Sequence, residues 1–575
     1  MAFSRDFIQQ GPQVSNTFLS DDLLQALLRW RLPNDVCASV EADLRRFGER
    51  CATELLAYAQ DAEAKPPHHI AFDAWGKRID DIEVAPGWNA LHRVAAEEGI
   101  VAIGYERAFG AHSRLVQLAK LYLFHPSSAF YSCPLAMTDG AARVLELLGG
   151  EELKSRAFTN LTSRDPEKFW TSGQWMTERT GGSDVSLTTT VARWEHGTYR
   201  LYGDKWFTSA TTAPMALALA KVEGDVNKKS SSTLSLFYLE LRDTEGRLQN
   251  IRIERLKDKL GTHALPTAEL SLNGVPARLI GEIGDGVRNV SALLNITRLY
   301  NSICSLGSMA RCLTLAKDYA RKRLAFGKPV SEQPLHLETL ARMQTEFEGT
   351  FHLCFHLATL LGREETGQAT PSERVLLRLL TPVIKLWSAK SAISIASETV
   401  EAFGGAGYIE NTGIPVLLRD AQVFSIWEGT TNILSLDVLR VLKKENALEV
   451  FMREVEVRLS ALDASKALSG AKDGWSGEIT QVRAATKLLG DHIARVSAAA
   501  NAEEALQTSA RAIAFGIGRT MAAALMLEFA QWCGDHGVRA ASKDIVRRFC
   551  RESLVDVSQL SANFESEALK KIVFG

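Results

Sequence analysis

The stretch GQWMTERTGGSDVSLTTT, residues 173–190, is where the hydrophobic pattern of this chain changes period. Before it, DDLLQALLRWRL (21–32), VCASVEADLRRFGERCATELLAYAQDAEA (36–64) and AARVLELLGGEELKSRAF (141–158) carry apolar residues three and four apart, which predicts helices. After it, TYRLYGDKWFTS, MALALAKV, TLSLFYLEL, IRIERL and AELSLNGV alternate over short runs punctuated by Gly, Asp, Asn and Ser. That pattern predicts strands of a small antiparallel β domain or barrel. Long helical periods return at VSALLNITRLYNSICSLGSMARCLTLAKDYARKRLAF (290–326), with breaks near 327–334, 366–372 and 404–413. Four long helices with short connections predict an antiparallel bundle. An alanine-rich helical region follows. The fold class is therefore mainly α with a central β domain: an N-terminal helical domain (1–168), an antiparallel β-barrel-like domain (169–285), a four-helix bundle (286–445) and an appended C-terminal helical domain (446–575).

Bulk composition fits that division. A chain of 575 residues is too long for one core. With 46% hydrophobic and 23% charged residues and a net charge of −2, it has no global basic field to recruit nucleic acid or an acidic membrane. Residues 441–575 hold 18 Lys+Arg against 17 Asp+Glu, and RRFCR (547–551) is their one tight basic cluster. Eight cysteines without a CxxC pair argue for a reducing compartment and against a disulfide framework or zinc site. No apolar run approaches the ~18–20 residues of a membrane span. MAFSRDFIQQGPQ at the start has no signal-peptide core, and KIVFG at the end is no peroxisomal tripeptide. The default compartment is cytoplasmic, with a mitochondrial one left open.

GxGxxG after a strand, GxxxxGK[ST], HExxH and GxSxG are all absent, which removes the main support for Rossmann, P-loop, zincin and hydrolase readings. His352 and His356, four apart in FHLCFHL, sit in apolar surroundings and read as core histidines, so no metal is expected. In 173–190, Gly181 and Gly182 permit close backbone approach beside the hydroxyls of Thr177 and Ser183, a loop able to hold a planar polar group and a phosphate, or a plain Gly-Ser turn. RKRLAFGKP (321–329) and VEAFGGAGYIENTGIPVLLRD (400–420) each read as helix ends. FSIWEGTTNI (424–433) sets one acid, Glu428, in an apolar run beside a glycine, either a buried group that does chemistry or an ordinary loop.

Taken in order, MTERTGGSD (176–184), KWFTS (205–209), ITR (296–298), RLAFGKP (323–329), FGGAGY (403–408) and RDAQVFSIWEGTTNI (419–433) resemble the acyl-CoA dehydrogenase family over most of residues 85–445. FDAWGKRIDDIEVAPGW (72–88), RLKDKLG (255–261) and the C-terminal extension make the chain most similar to the branch of AidB-like flavoproteins and long-chain acyl-CoA-binding relatives. The resemblance implies FAD between the β domain and the bundle. Trp175, Met176 and Thr177 would meet the flavin ring and Ser183 the pyrophosphate, with Gly182 in the same cofactor set. Counted without gaps from Gly203, Phe207 takes the ring-stacking place, with Thr208 and Ser209 next to it. Arg323, Phe326 and the Gly404–Gly405 turn would reach the FAD of a neighbouring subunit, implying a homodimer or homotetramer, and Glu401 belongs to the cofactor set beside that turn. Ile426, Thr430 and Asn432 complete the cofactor set; Arg298, Trp427 and Gly429 are the substrate set.

By the same resemblance Glu428 is the base that takes the α-proton of a medium- or long-chain acyl-CoA while the β-hydrogen leaves as hydride to the flavin. An ordinary glutamate, with a pKa of about 4.3, is a weak base at neutral pH, and burial between Trp427, flavin and acyl chain would strengthen it. The backbone N–H of Glu428 would help to hold the thioester oxygen. The other position from which family members take a base is Thr297, which cannot serve. Departures from the family pattern are Glu401 for a usual Gln, Pro334 with Gln333 one place early, and the bulky Trp427. The sequence leaves the electron acceptor open between electron-transfer flavoprotein, a candidate partner, and oxygen. Two other readings stand beside the dehydrogenase: a binding protein that sequesters acyl-CoA, and a DNA-binding flavoprotein.

Overall fold

The computed structural model describes residues 9–224, 234–469, 474–499, 501–560 and 566–575; the opening residues read above for a leader lie mostly outside them. The chain divides into two compact units, Leu44–Gly307 and a second made of Met1–Asp43 with Ser308–Gly575.

The Leu44–Gly307 unit holds the predicted β domain. A hairpin, β1 (His68–Phe72) and β2 (Arg78–Glu83), interrupts the N-terminal helices. The sequence reading, helical throughout 1–168, misses it because these strands do not alternate; their turn is set by Asp73, whose carboxylate accepts from the N–H of Trp75 and Lys77 (2.9 Å each). Seven further strands follow: β3 (Ser172–Trp175), β4 (Val191–Glu195), β5 (Thr198–Ser209), β6 (Met215–Val222), β7 (Leu234–Glu240), β8 (Ile251–Leu256) and β9 (Thr267–Ile280). They run β3-β6-β4-β5-β9-β7, and a β6–β7 pairing closes the ring, with β8 on β9. The expectation of an antiparallel barrel needs one correction, because β6 pairs parallel with both β3 and β4.

Period 2 on β6 sorts its side chains. Ala216, Ala218 and Ala220 join Trp175, Phe237 and Leu270 in one cluster, whereas Met215, Leu217 and Leu219 pack with Ala141, Val144, Leu145 and Leu293 in another. Inside the helical layer of the same unit, Asp139 on helix Ser132–Leu148 is fully buried. Its carboxylate accepts from Arg114 (2.8 Å), Gln117 (2.6 Å), Tyr105 (2.7 Å) and Tyr300 (2.8 Å).

The second unit contains the long helices Pro334–Glu365 and Pro371–Ala402, the shorter Thr431–Lys444, and the C-terminal helices Ala447–Ser469, Ser476–Ser497, Ala502–His536 and Ala541–Arg551. Pro371 at the first helical position and a Thr370/Glu373 capping box start the second of these. The C-terminal helices are packed onto the bundle. A Cβ on Gly518 would lie 2.9 Å from Val383, and one on Gly349 would lie 2.5 Å from Phe549, so both contacts require glycine. Glu346 accepts from Trp387 Nε1 (2.6 Å), Ser391 (2.8 Å) and Arg519 (2.6 Å), and buried Arg539 pairs with buried Glu348 (2.6 Å). Helix Ala502–His536 corrects the expectation about apolar runs: it is long and apolar enough to cross a membrane, and 83% of its apolar window is buried inside the protein.

His352 and His356 lie in this core. His352 packs on Phe529 (4.6 Å between ring centres), and neither His352 Nδ1 nor His356 Nε2 has a hydrogen-bond partner among the described residues. Burial first, and then Arg539 and Arg31 for His352 or Arg458 and Arg31 for His356, push both well below the usual histidine range. Both are neutral when folded, so the unfolded chain takes up protons that the folded chain refuses once pH falls below about 6.5. Stability is therefore full above that value and lost beneath it, by about 1.4 kcal/mol per pH unit for each group. His92, His336 and His492 are lowered in the same direction by burial. Urea unfolding at pH 5.5 and 7.5 should give a lower midpoint at 5.5, and His352→Phe should flatten the dependence; equal midpoints would contradict the neutral assignment.

Candidate functional site

In the β unit the fixed point is Glu178, just after β3. It is buried and accepts from Lys205 Nζ (2.8 Å), Thr189 N (2.6 Å), Thr189 Oγ1 (2.7 Å) and Thr190 Oγ1 (2.5 Å). Burial opposes its charge, but Lys205 with Thr190 and Thr189 overrules it and holds the carboxyl at about 2. Fully buried Lys205 also donates to Leu219 O (3.0 Å), and Trp206 N donates to Thr177 O (3.1 Å). The MTERTGGSD loop is thus moored to the KWFTS strand. Sequence reasoning quoted both motifs without seeing that their Glu and Lys are the tether.

The loop itself is open. Gly181 has φ 105° and free space where a Cβ would be, while a Cβ on Gly182 would lie 2.5 Å from Thr177 Oγ1. Ser183 is exposed, and Met176 and Thr177 are half-buried. The register of β5 on β9 slips between Lys205 and Thr208, a bulge that holds Trp206 and Phe207. Phe207 is 57% exposed, and Lys257 Nζ lies 3.5 Å from the centre of the Trp206 ring and 4.8 Å from that of Phe207. The bulge makes Trp206 a second aromatic candidate that a gap-free count passes over. Two of the expected contact residues have buried side chains. The Trp175 side chain is buried in the barrel cluster, and the buried Thr208 hydroxyl donates to Ala268 O (2.8 Å), so both offer a ligand only backbone. Ser209 Oγ lies 3.0 Å from Thr267 Oγ1. On helix Ser291–Lys322, Arg298 is half-buried, and buried Thr297 returns its hydroxyl to Leu294 O (3.2 Å).

In the helical unit RLAFGKP is more than a helix end. After Lys322 it forms a two-residue hairpin of β10 (Leu324–Ala325) and β11 (Lys328–Pro329), with Phe326 (φ 53°) and Gly327 (φ 80°) both left-handed as such a turn requires. Phe326 is 98% exposed at the tip and Arg323 is exposed at the base. Tyr319, one turn earlier, stacks on Phe403 (4.3 Å) and brings this hairpin to the FGGAGY turn. There Gly407 is required sterically, since its Cβ would lie 2.0 Å from Val400 O. Gly404 (φ 61°) and Gly405 have open space instead, and Glu401 is exposed beside them.

The acid loop joins helix Ile414–Ala421 to helix Thr431–Lys444. Ile426 is exposed, Trp427 and Glu428 are half-buried, and Glu428 (φ 56°) and Gly429 (φ 103°) are both left-handed. That φ explains the glycine directly, with Leu434 Cδ2 also 3.2 Å from where a Cβ would sit. Exposed Thr430 caps the next helix by accepting from Ile433 N (3.5 Å), and Asn432 is exposed in its first turn. Sequence reasoning missed Lys385. Fully buried on helix Pro371–Ala402, it donates to Trp427 O and to Gly429 O, each at 2.6 Å.

Four family models match in chain order: "Adaptive response protein AidB N-terminal domain" (10–167), "Acyl-CoA dehydrogenase, middle domain" (173–275), "Acyl-CoA dehydrogenase, C-terminal domain" (284–443) and "Acyl-CoA dehydrogenase 11 C-terminal domain-like" (446–574). The chain is 44% identical to Acyl-CoA dehydrogenase family member 11 of Caenorhabditis elegans, over 99% of this chain and 93% of that protein. It is 32% identical to Putative acyl-CoA dehydrogenase AidB of Escherichia coli, over 78% and 82%. The solved structure of Caenorhabditis elegans ACDH-11 in complex with C11-CoA superposes with a TM-score of 0.94 at 42% identity, covering 100% of this chain and 98% of that one. On fold and sequence together, the chain belongs to the acyl-CoA dehydrogenase family.

Proposed function

We propose that the protein is an FAD-dependent acyl-CoA dehydrogenase that desaturates a medium- or long-chain acyl-CoA between C2 and C3, with Glu428 as base. The observation that carries this reading is the left-handed Glu428, bracketed by two carbonyls bonded to one buried ammonium. A non-glycine residue in that conformation is strained by about 1–3 kcal/mol, and strain of this kind concentrates at functional sites.

The residues present suit FAD. An exposed phenyl ring at Phe207, the open glycines 181, 404 and 405, the Ser183 hydroxyl and the Arg323 guanidinium offer stacking, close approach and phosphate contacts. Met176, Thr177, Gly182, Ser183, Phe207 and Ser209 would hold it from the β unit, with the backbone of Trp175 and Thr208. Ile426, Thr430 and Asn432 would do so from the acid loop. Arg323, Phe326, Glu401, Gly404 and Gly405 would serve a second copy of the chain in a homodimer or homotetramer. Bound FAD would supply the acceptor for the hydride leaving C3.

Glu428 takes the C2 proton, its backbone N–H donates to the thioester oxygen, and Arg298, Trp427 and Gly429 seat the substrate. In the chain alone Glu428 is half-buried, and acyl chain and cofactor together complete its separation from water. The relative solved with C11-CoA supports the chain-length class. Nucleic-acid binding loses support at its one basic cluster: Arg548 pairs with Glu338 and Arg547 with Glu478, while Phe549 and Cys550 are buried.

Anaerobic titration with acyl-CoAs of graded length tests this. Medium and long chains should bleach the flavin absorbance. A spectral shift without bleaching across the panel would make the protein a binder and refute the dehydrogenase.

A further inference from the structure

We propose that Lys385 is the positioning residue of this site, fixing the peptide plane that precedes Glu428 and the one that follows Gly429; this rests on the reading of Glu428 as base. The ammonium has three donors. Two of them go to the carbonyls of residues 427 and 429, and the side chain that delivers them is fully buried on helix Pro371–Ala402. That helix is itself anchored two residues on, where Trp387 Nε1 donates to Glu346.

A trans peptide is planar, with C=O and N–H on opposite sides. Drawing Trp427 O toward Lys385 therefore aims the Glu428 N–H away from Lys385, and drawing Gly429 O the same way aims the Thr430 N–H away at the head of helix Thr431–Lys444. The first of these is the donor assigned to the thioester oxygen. With the plane before Glu428 and the plane after Gly429 both held on one nitrogen, the 428–429 segment is pinned at its two ends, which narrows the backbone conformations open to Glu428 and the directions open to its Cα–Cβ bond. Side-chain torsions then bring the carboxylate to the C2 proton. The left-handed pair at 428 and 429 is what lets both carbonyls reach one nitrogen. Lysine suits the task because its compact ammonium on a long stem reaches two oxygens without the planar fork of arginine.

The test compares Lys385→Met, which keeps the stem and removes the donors, with Lys385→Gln, which keeps a shorter donor, and with Lys390→Met, an exposed lysine on the same helix, in the FAD-loaded protein. Misplacement of reacting groups by about 1 Å costs on the order of 10²-fold in rate. Lys385→Met should slow single-turnover bleaching by about that factor with half-saturating acyl-CoA changed less than about 3-fold, Lys385→Gln should fall between, and Lys390→Met should match the parent. Independently of turnover, hydrogen exchange in the peptide covering 424–434 should speed up by at least about 10-fold in Lys385→Met while the rest of the chain is unchanged.

Unchanged rate or unchanged exchange would overturn the proposal, and so would loss of rate, affinity and flavin together, which marks a merely structural lysine. If Lys385→Met does not fold, Lys385→Gln carries the same two measurements. If the parent protein does not bleach, the dehydrogenase reading fails, and the exchange data still decide whether Lys385 holds the loop.

Discussion

Glu428→Gln should retain bound FAD and acyl-CoA affinity within a few fold, yet lose anaerobic bleaching by about 10²–10⁴-fold, the range that a positioned base contributes. The amide has nearly the shape of the carboxylate and leaves the 427 and 429 carbonyls on Lys385 untouched, so the loss would report the missing base and not a loosened loop. No substitute is at hand in the family's other location, because Thr297 is buried with its hydroxyl turned back to Leu294 O. Stopped-flow absorbance under anaerobic conditions measures this; a variant that still bleaches at the parent rate removes Glu428 from the mechanism. The backbone N–H of residue 428 survives the change, so a spectral shift on ligand binding should persist.

The change of period at 173–190 made the β domain legible, because alternating apolar residues demand a two-faced element and three-four spacing demands a helix. Barrel closure was not legible. MALALAKV is apolar on both faces, so nothing in it says that Ala216, Ala218 and Ala220 face Trp175 while Leu217 and Leu219 face helix Ser132–Leu148. Nor could period reveal the parallel β3–β6 pair, since three of the four β3 residues sit inside a motif read as a loop. The acid motif was legible as a unit, since Trp-Glu-Gly-Thr puts an acid, a φ-permissive residue and a helix cap in sequence. Its support was not. Lys385 lies 43 residues upstream of Glu428, in a helix where a lone lysine reads as a solvated charge; only packing shows it fully buried. The same holds for Glu178 and Lys205, each visible in its motif but joined only when β5 folds beside the loop. Periodicity reports which face is apolar, and it says nothing about which polar residue is drawn beneath that face.

Asp139→Ala should cost the Leu44–Gly307 unit about 3–5 kcal/mol, the effect of breaking a buried ion pair by removing one partner. Asp139 is fully buried and takes four donors, and its loss takes a partner from several groups at once: the Arg114 guanidinium, on a residue 1% exposed, which loses its buried counter-charge, the Gln117 amide and the hydroxyl of Tyr300. Burial first, and then the Asp139 carboxylate, raise the Tyr300 phenol well above its usual range, so that hydroxyl stays a neutral donor. Asp139→Asn keeps the shape and part of the hydrogen bonding but removes the charge facing Arg114, and should fall between parent and alanine. At about 2–4 °C per kcal/mol for a unit of this size, the alanine variant should melt roughly 10 °C lower in its first calorimetric transition. Tyr300→Phe supplies the control, because it removes one donor and no charge, which costs about 0.5–1.5 kcal/mol. Equal losses from Tyr300→Phe and Asp139→Ala would mean that one hydroxyl contact, and not the buried charge, holds these helices together. A large loss confined to Asp139→Ala would show that the N-terminal helices and helix Ser291–Lys322, which carries Tyr300 and Arg298, are locked by one carboxylate.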